Sequence, residues 1–404
     1  MEKGNLGKMI KRLRTKAHLT QAELAERLGV SDKAISKWES GAGYPDITQL
    51  PALSSLFSVS VDYLLKGNPR GVTIAGNILV DILHTVDEYP EISRLVNVLK
   101  LEKSVGGCVP NTIINLAKID PSLYLSAIGK IANDENGRYV ISEFNKYGID
   151  SSKIKISDST STSFTNVIYD LKTAERTFFY NKGANVEFSM ADIDIDALDT
   201  EFFHIGYAFL LDRLDEDDEE YGTRLARLLK AVSDRGIKTS IDTVSREGEN
   251  YQGKIVPVLK YCNFTLMNET ESGWVTGIEP RNADGTLNIE NIKKISEKLI
   301  ELGVKEKAII HCKEAGFLRN SNGEFYAVPS LKLPKDYIAG NVGAGDAFAA
   351  ACLYALYNGY DDEKILRFAS LAAAANLSSV DAVGGMLTAE KLWQLESKFE
   401  RLSL

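Results

Sequence analysis

From residue 72 onward the sequence keeps one rhythm, a short apolar run followed by a longer amphipathic stretch. The runs are VTIAG, LYLSAIG, FFHIGY, KTSID, FTLMN and KAIIHC, and YGTRLARLLKAV and NIKKISEKLIEL are two of the stretches between them. Short runs that are apolar at successive positions suit strands covered on both faces. The intervening stretches are long enough to serve as the crossover helices that parallel strands require. This part is therefore expected to be an α/β domain, a mostly parallel sheet sandwiched by helices. Ligands of such sheets bind beyond the carboxyl ends of the strands, where Asp81 (after GNILV), Asp242, Asn268 and the loop before Asp346 are expected. Residues 91–103 and 163–181 are rich in β-formers and unlike crossovers, so they are expected to form a small second sheet, a β lid.

The first 66 residues follow a different period. Leu6, Met9, Ile10 and Leu13 fall at i, i+3, i+4 and i+7, the stripe of an amphipathic helix. TQAE places Thr20 as an N-cap and Glu23 as its capping-box partner, opening a second helix that runs to Leu28. After the turn GVS, Ser31 or Asp32 can cap a third helix that runs to Glu39. On that helix Ala34, Ile35 and Trp38 share one face, while Lys33, Ser36 and Lys37 form a polar, basic ridge narrow enough for a major groove. A fourth helix starts near PDITQL, and VSVDYLL closes the unit.

This head, all-α and of helix-turn-helix form, resembles the phage-repressor and Cro-type family, and LTQAELAERLGVSDKAISKWESG carries the resemblance. It implies that Asp32, Lys33, Ser36 and Lys37 read bases and that Gln21 contacts phosphate. It also implies a homodimer on a palindromic DNA operator, with half-sites about one helical turn apart. Nothing in the head provides the dimer contact, so the body is expected to.

The expected domains are thus 1–66, a short linker at 67–70 inside GNPRG, and 71–404. The chain has a net charge of -9, which argues against coating nucleic acid along its whole length. Residues 1–68 nevertheless carry ten Lys/Arg against seven Asp/Glu, a basic head on an acidic body. The four cysteines are far apart, without metal spacing, as in a reducing compartment. MEKGNLGKMIKRLR has no apolar stretch behind it, and no apolar run reaches the ~18 residues of a membrane span. A cytoplasmic protein without a membrane partner is expected.

NVGAGDAFAAACLYAL leads three small residues, Gly343, Ala344 and Gly345, straight into Asp346 and a helix. A helix N-terminus offers unpaired N–H groups to an anion, and an aspartate there can take a proton. GGCVPN brings Gly106 and Gly107 ahead of Asn111, whose amide can bind a hydroxyl. NETE sets Asn268 and Glu271 three apart, spaced to hold a hydrated magnesium ion. In this order, the motifs resemble the ribokinase-like family, the phosphofructokinase B group of carbohydrate and nucleoside kinases. The resemblance covers residues 72–390, including GKIANDENG.

That resemblance implies ATP-dependent phosphoryl transfer to a sugar or nucleoside hydroxyl, with magnesium. Asp346 would be the base, and Gly343, Ala344 and Gly345 the anion hole. Asp81, Gly106, Gly107 and Asn111 would hold the substrate, while Asn268, Lys313 and Gly316 would meet the nucleotide. Asn268 and Glu271 would organise the metal. Two departures touch the donor side. Gly340 and Asn341 stand where the family has an aspartate and a threonine or serine, which puts its monovalent cation in question. His311, Cys312 and Lys313 replace its Thr-x-Gly. The alternative is a kinase-like body that binds a sugar or nucleoside only as the sensor of a repressor. His204 inside an apolar strand reads as a core residue, and DEDDEE as a solvated run at a helix start. DIDID lacks the glycine and glutamate of a calcium loop.

Overall fold

The computed structural model describes residues 5–17, 19–57, 61–66, 71–173 and 175–404. The chain divides into two compact units, Met1–Gly71 and Val72–Leu404. The expected linker at 67–70, and residues 59–60 of VSVDYLL, lie outside the described residues.

In the smaller unit the helix signals act locally. Thr20 caps Gln21–Leu28 through a complete capping box with Glu23, and Gly29 ends that helix at φ 66, a left-handed position that suits glycine. Ser31 caps Asp32–Glu39 by accepting from the Ala34 amide at 3.2 Å. Leu6, Met9, Ile10 and Leu13 of Asn5–Lys16 are buried with Leu24, Ile35 and Trp38. Gly7 lets the first helix touch the third, because a Cβ there would lie 1.9 Å from the Trp38 carbonyl oxygen. PDITQL forms a 3₁₀ turn, Ile47–Gln49, before the helix Leu50–Phe57, and Val61–Lys66 is the last helix.

A buried ion pair locks the three first helices. Arg14 Nε donates to Glu39 Oε1 at 2.6 Å, and Gln21 Nε2 donates to Glu39 Oε2 at 2.7 Å. Burial disfavours the Glu39 charge, but hydrogen bonds from Arg14 and Gln21 hold its carboxyl below the ordinary value.

The larger unit is built on an eight-stranded mixed sheet. Six strands run parallel: Leu125–Ile128, Val72–Gly76, Phe202–Ala208, Lys238–Thr243, Phe264–Asn268 and Lys307–His311, in that spatial order. Ala315–Asn320 and Phe325–Pro329 extend it antiparallel at the far edge. Each face buries its own apolar cluster. Cys108–Ile119, Ala344–Tyr357 and Asp362–Asn376 cover one face; Arg224–Asp234, Tyr251–Leu259 and Ile289–Glu301 cover the other. Each fully buried Leu or Ile in these clusters contributes about 1.5–3 kcal/mol. Ala347, Ala349, Ala350 and Ala351 are buried, so the small side chains bring that helix close to its neighbours.

The lid is a four-stranded sheet in the order Val98–Gly106, Leu79–Val86, Phe164–Asp170, Arg176–Asn181. Two expectations are corrected here. Asp81 lies inside a lid strand rather than at the end of a strand of the large sheet, and residues 91–97 are turns and loop ahead of the lid strand that starts at Val98. DEDDEE also differs from expectation. Asp217–Asp218 pairs with Gly222–Thr223, and the next helix starts at Arg224, with Thr223 as its cap. His204 is fully buried with Nδ1 2.9 Å from Ser240 Oγ.

Candidate active site

Glycines let the strand ends come together. Gly76 sits at φ 130, and a Cβ on it would lie 1.6 Å from the Gly206 carbonyl oxygen. The Asn77 amide donates to that oxygen at 3.0 Å. Asn77 Oδ1 then accepts from the Cys108 amide at 2.9 Å, satisfying one N-terminal amide of Cys108–Ile119 from outside the helix. Gly107 precedes it at φ 87, so the helix N-terminus and Asn111, one turn in, face the same place as the strand ends.

Asp346 arrives there from a second helix. Ala344–Tyr357 is capped by Gly343 at φ 75 with no side-chain bond, and a Cβ on Gly343 would meet Ala382 at 2.5 Å. Asp346 is buried in the first turn. Asn111 Nδ2 donates to Asp346 Oδ2 at 3.0 Å, and the Tyr207 hydroxyl donates to Oδ1. Burial pushes the Asp346 carboxyl up to about 6, opposed by the bonds from Tyr207 and Asn111, with Asp81 adding repulsion. A carboxylate tuned toward neutrality can take a proton from an alcohol more effectively than an ordinary aspartate.

Asp81 faces Asp346 from the lid. Its carboxylate occupies the space beside Gly106, where a Cβ would lie 2.3 Å from Oδ2. Burial raises Asp81 to about 6, opposed by a hydrogen bond from Thr165. Asp242 lies on the other flank, pushed well above the carboxylate range by burial and by Glu271 and Asp346. Asp81, Asn111 and Asp346, expected from their motifs, are thus brought together. Tyr207 was not singled out from the sequence. Its only signal is its place after a glycine at the end of a parallel strand.

Beside this chamber a cleft of about 680 Å³ opens, lined by Asn268, His311, Lys313, Ala344, Gly345 and Phe348 among others. Most of its exposed wall is apolar, including Leu331, Leu333, Ile338 and Leu377, as a planar heterocycle requires. The His311 ring replaces the expected small residue, packing 5.1 Å from the Phe348 ring and against Gly345. Burial pushes His311 down to about 4, so it is neutral. Lys313 reaches the cleft with a largely exposed side chain.

Gly316 is a correction. It lies in the strand Ala315–Asn320 with a would-be Cβ 2.9 Å from the Phe348 ring, so it makes room for the helix rather than lining the cleft. Asn268 and Glu271 form a capping box at the start of Glu269–Thr276. Glu271 also accepts from Ser245 Oγ at 2.7 Å, and burial raises its carboxyl to about 6 against that bond. Among the described residues no group of three or more His, Cys, Asp or Glu is arranged to hold a metal ion.

On the smaller unit, Asp32, Lys33, Ser36 and Lys37 are exposed along one helix face. Gln21 is different, for its amide is committed to Glu39, which makes it a structural tie within the head.

Known proteins share both units. The profile of the pfkB family carbohydrate kinases matches residues 71–389, and a helix-turn-helix profile matches residues 10–64. A 5-dehydro-2-deoxygluconokinase of Clostridium beijerinckii is 25% identical over 312 residues, 72% of this chain and 83% of that protein. The HTH-type transcriptional activator BcrR of Enterococcus faecalis is 55% identical over 58 residues, 14% of this chain and 28% of the activator. Arabidopsis thaliana ribokinase, solved with ribose and ATP, superposes with a TM-score of 0.67 at 19% identity, covering 81% of this chain and 98% of that one. The chain belongs to the pfkB family of carbohydrate kinases, with a helix-turn-helix domain at its front.

Proposed function

We propose that the larger unit transfers the γ-phosphoryl group of ATP to a hydroxyl of a sugar or nucleoside. The observation that carries this reading is the convergence of Asn111, Tyr207 and Asp346 from three elements beneath Asp81. Asp346 takes the proton of the acceptor hydroxyl as the new P–O bond forms. Asn111 and Tyr207 fix the carboxylate's orientation, a part of the barrier that positioning can lower. The amides of Gly343, Ala344 and Gly345, at the start of Ala344–Tyr357, would meet the oxygens of the transferring group, where electrostatic stabilisation is largest. Asp81, with the open backbone of Gly106 and Gly107, grips the acceptor's other hydroxyls. Closure of the lid keeps water out.

ATP fits the cleft by size and by its apolar walls, with Asn268 and Lys313 at the phosphate end. Glu271 is buried beside Asp242 with no ion-pair partner among the described residues, which suits a cation held through water by Asn268 and Glu271. Magnesium, when bound, neutralises the charge of the donor phosphates. An ADP-release assay over sugars and nucleosides tests the reading: turnover that persists in Asp346→Asn would sink it.

A second reading, a ligand sensor without turnover, draws on the donor side, where His311 crowds Gly345 and the metal pair doubles as a helix cap. Tight acceptor binding with no ADP release would favour it.

The head is proposed to bind a palindromic operator as a homodimer, with Lys33 and Lys37 in the major groove. Lys33→Ala/Lys37→Ala should weaken operator binding at least tenfold and flatten its salt dependence. Unchanged affinity would remove the recognition-helix assignment. With only residues 67–70 expected between the units, acceptor occupancy is proposed to shift operator affinity, which a titration with and without ligand measures.

A further inference from the structure

One stripe of the largely apolar helix Cys108–Ile119 is polar. Asn111, Asn115 and Lys118 fall at i, i+4 and i+7, so they stand one above another on the same face. Between them Ile113, Ile114, Leu116 and Ala117 are buried. Asn111 holds Asp346. Asn115 Nδ2 donates to the Ala382 carbonyl at 3.2 Å, and Lys118 Nζ donates to the next carbonyl, that of Val383, at 2.6 Å. The stripe therefore joins the base to a second segment, residues 377–385.

That segment backs the anion loop. A Cβ on Gly343 would lie 2.5 Å from the Ala382 Cβ, and one on Gly340 would lie 2.8 Å from the Ser379 carbonyl oxygen. The Ala339 amide donates to the Leu377 carbonyl at 2.9 Å, and Asn376 Nδ2 donates to the Val342 carbonyl at 2.8 Å. Contacts this close transmit a shift of one backbone to the other, so the place of residues 377–385 sets the place of the Gly343, Ala344 and Gly345 amides.

Lys118 has no local reason to be turned this way. It stands in the last turn of its helix, where a cation is favoured by the helix's own carbonyls, yet its ammonium bonds a carbonyl 265 residues away. Burial pulls its pKa below the ordinary value, and Asp381 opposes that. Asp381 is itself turned onto the amides of Val383, at 3.0 Å, and Gly384. A free monovalent cation held by a carboxylate at residue 340 does not fit here, because the Ser379 carbonyl leaves no room for a side chain on Gly340.

We propose that Asn115 and Lys118 are positioning residues for the phosphoryl transfer: they hold residues 377–385 against Gly343, with the Lys118 ammonium as a tethered cation, so that turnover needs no free monovalent cation. This deepens the kinase reading and rests on it. Each residue acts through the carbonyl it holds. Displacing the anion hole by ~1 Å costs about 10²-fold in rate, while the acceptor's grip by Asp81 and Asn111 is left as it was.

The test uses the full chain with ATP, magnesium and the acceptor found by the ADP-release assay. The only monovalent cation is potassium, ammonium or N-methylglucamine, at one ionic strength. Wild-type kcat should agree within about twofold in all three. In N-methylglucamine, Lys118→Ala should lose at least about tenfold in kcat with the acceptor KM unchanged, and ammonium or potassium should restore at least about fivefold. Restoration separates a tethered charge from mere packing, which no salt replaces. Full activity in Lys118→Ala, or a loss that no cation restores, overturns the proposal. So does a wild type that needs potassium, a comparison that requires no variant to fold. It would mean that the buried Oδ1 atoms of Asn115 and Asn376, without partners among the described residues, take a free cation. If no acceptor releases ADP, the kinase reading fails on its own. The tethered cation is then read from melting. Ammonium should raise the melting temperature of Lys118→Ala above its value in N-methylglucamine and leave wild type unmoved; without that difference the inference falls too.

Discussion

The acceptor side and the donor side of the larger unit are built by different rules. On the acceptor side each polar group is held from a distance: Asn111 meets Asp346 across 235 residues, and Tyr207 meets it across 139. No local structural need explains an amide and a phenol buried against a carboxylate. On the donor side, Asn268 and Glu271 answer each other across three residues, and Lys313 pairs with the adjacent Glu314 at 3.7 Å. Those residues would have a structural reason to exist without any ligand. Function is therefore read with more force from a buried polar contact between remote elements than from a motif that local structure also satisfies.

The sharpest way to break this contrast is Asp346→Asn. Loss of a general base lowers rate by about 10²–10⁴, and kcat should fall by that amount while acceptor binding, measured by melting shift, survives. A small loss of rate would show that the remote contacts are structural after all. The wild-type pH profile gives a companion measurement. Asp346 must be ionised to act, so kcat/KM should fall as pH drops below about 6.

The same carboxylate makes a stability prediction of the opposite sign to that of a salt-bridged aspartate. Its folded value, about 6, lies above the ordinary 3.8, so the folded state binds the proton more tightly than the unfolded state. Stability is therefore fully present below pH 3.8 and declines as pH rises through 6. Two units correspond to at most about 3 kcal/mol. Asp346→Asn should accordingly melt higher than wild type at pH 7, and the gap should close by pH 4. A variant less stable at pH 7 would mean that the burial of this charge is compensated by groups beyond Asn111 and Tyr207.

How much of this was legible in the sequence follows the same division. The head's helices could be read because their caps are local: Thr20 with Glu23, and Ser31 with Ala34. The six parallel strands could be read because burial on both faces leaves unbroken apolar runs. The edge strands Ala315–Asn320 and Phe325–Pro329 escaped because they are antiparallel neighbours joined by short turns, with no crossover helix between them to continue the rhythm of run and amphipathic stretch. Asp81 was placed on the wrong sheet because GNILVDIL continues an apolar run past the point where the chain leaves the main sheet. Gly316 was misread because a glycine that admits the Phe348 ring looks, in one dimension, like one that admits a phosphate. Tyr207 was invisible because nothing near it in the chain announces Asp346.

The smallest expected effect lies on the donor side. Lys313 is 79% exposed at its side chain, so water and salt screen its charge and the cost of losing it is slight. Lys313→Ala should raise the KM for ATP by about threefold, within the ~1 kcal/mol of an exposed charge, and leave the acceptor KM unchanged. The effect should shrink further at high ionic strength. A rise of thirtyfold or more would mean that the lysine folds down onto the donor phosphates and is desolvated there. The donor side would then depend on a charge as the acceptor side does, and the division between remote and local construction would no longer separate residues that act from residues that cap.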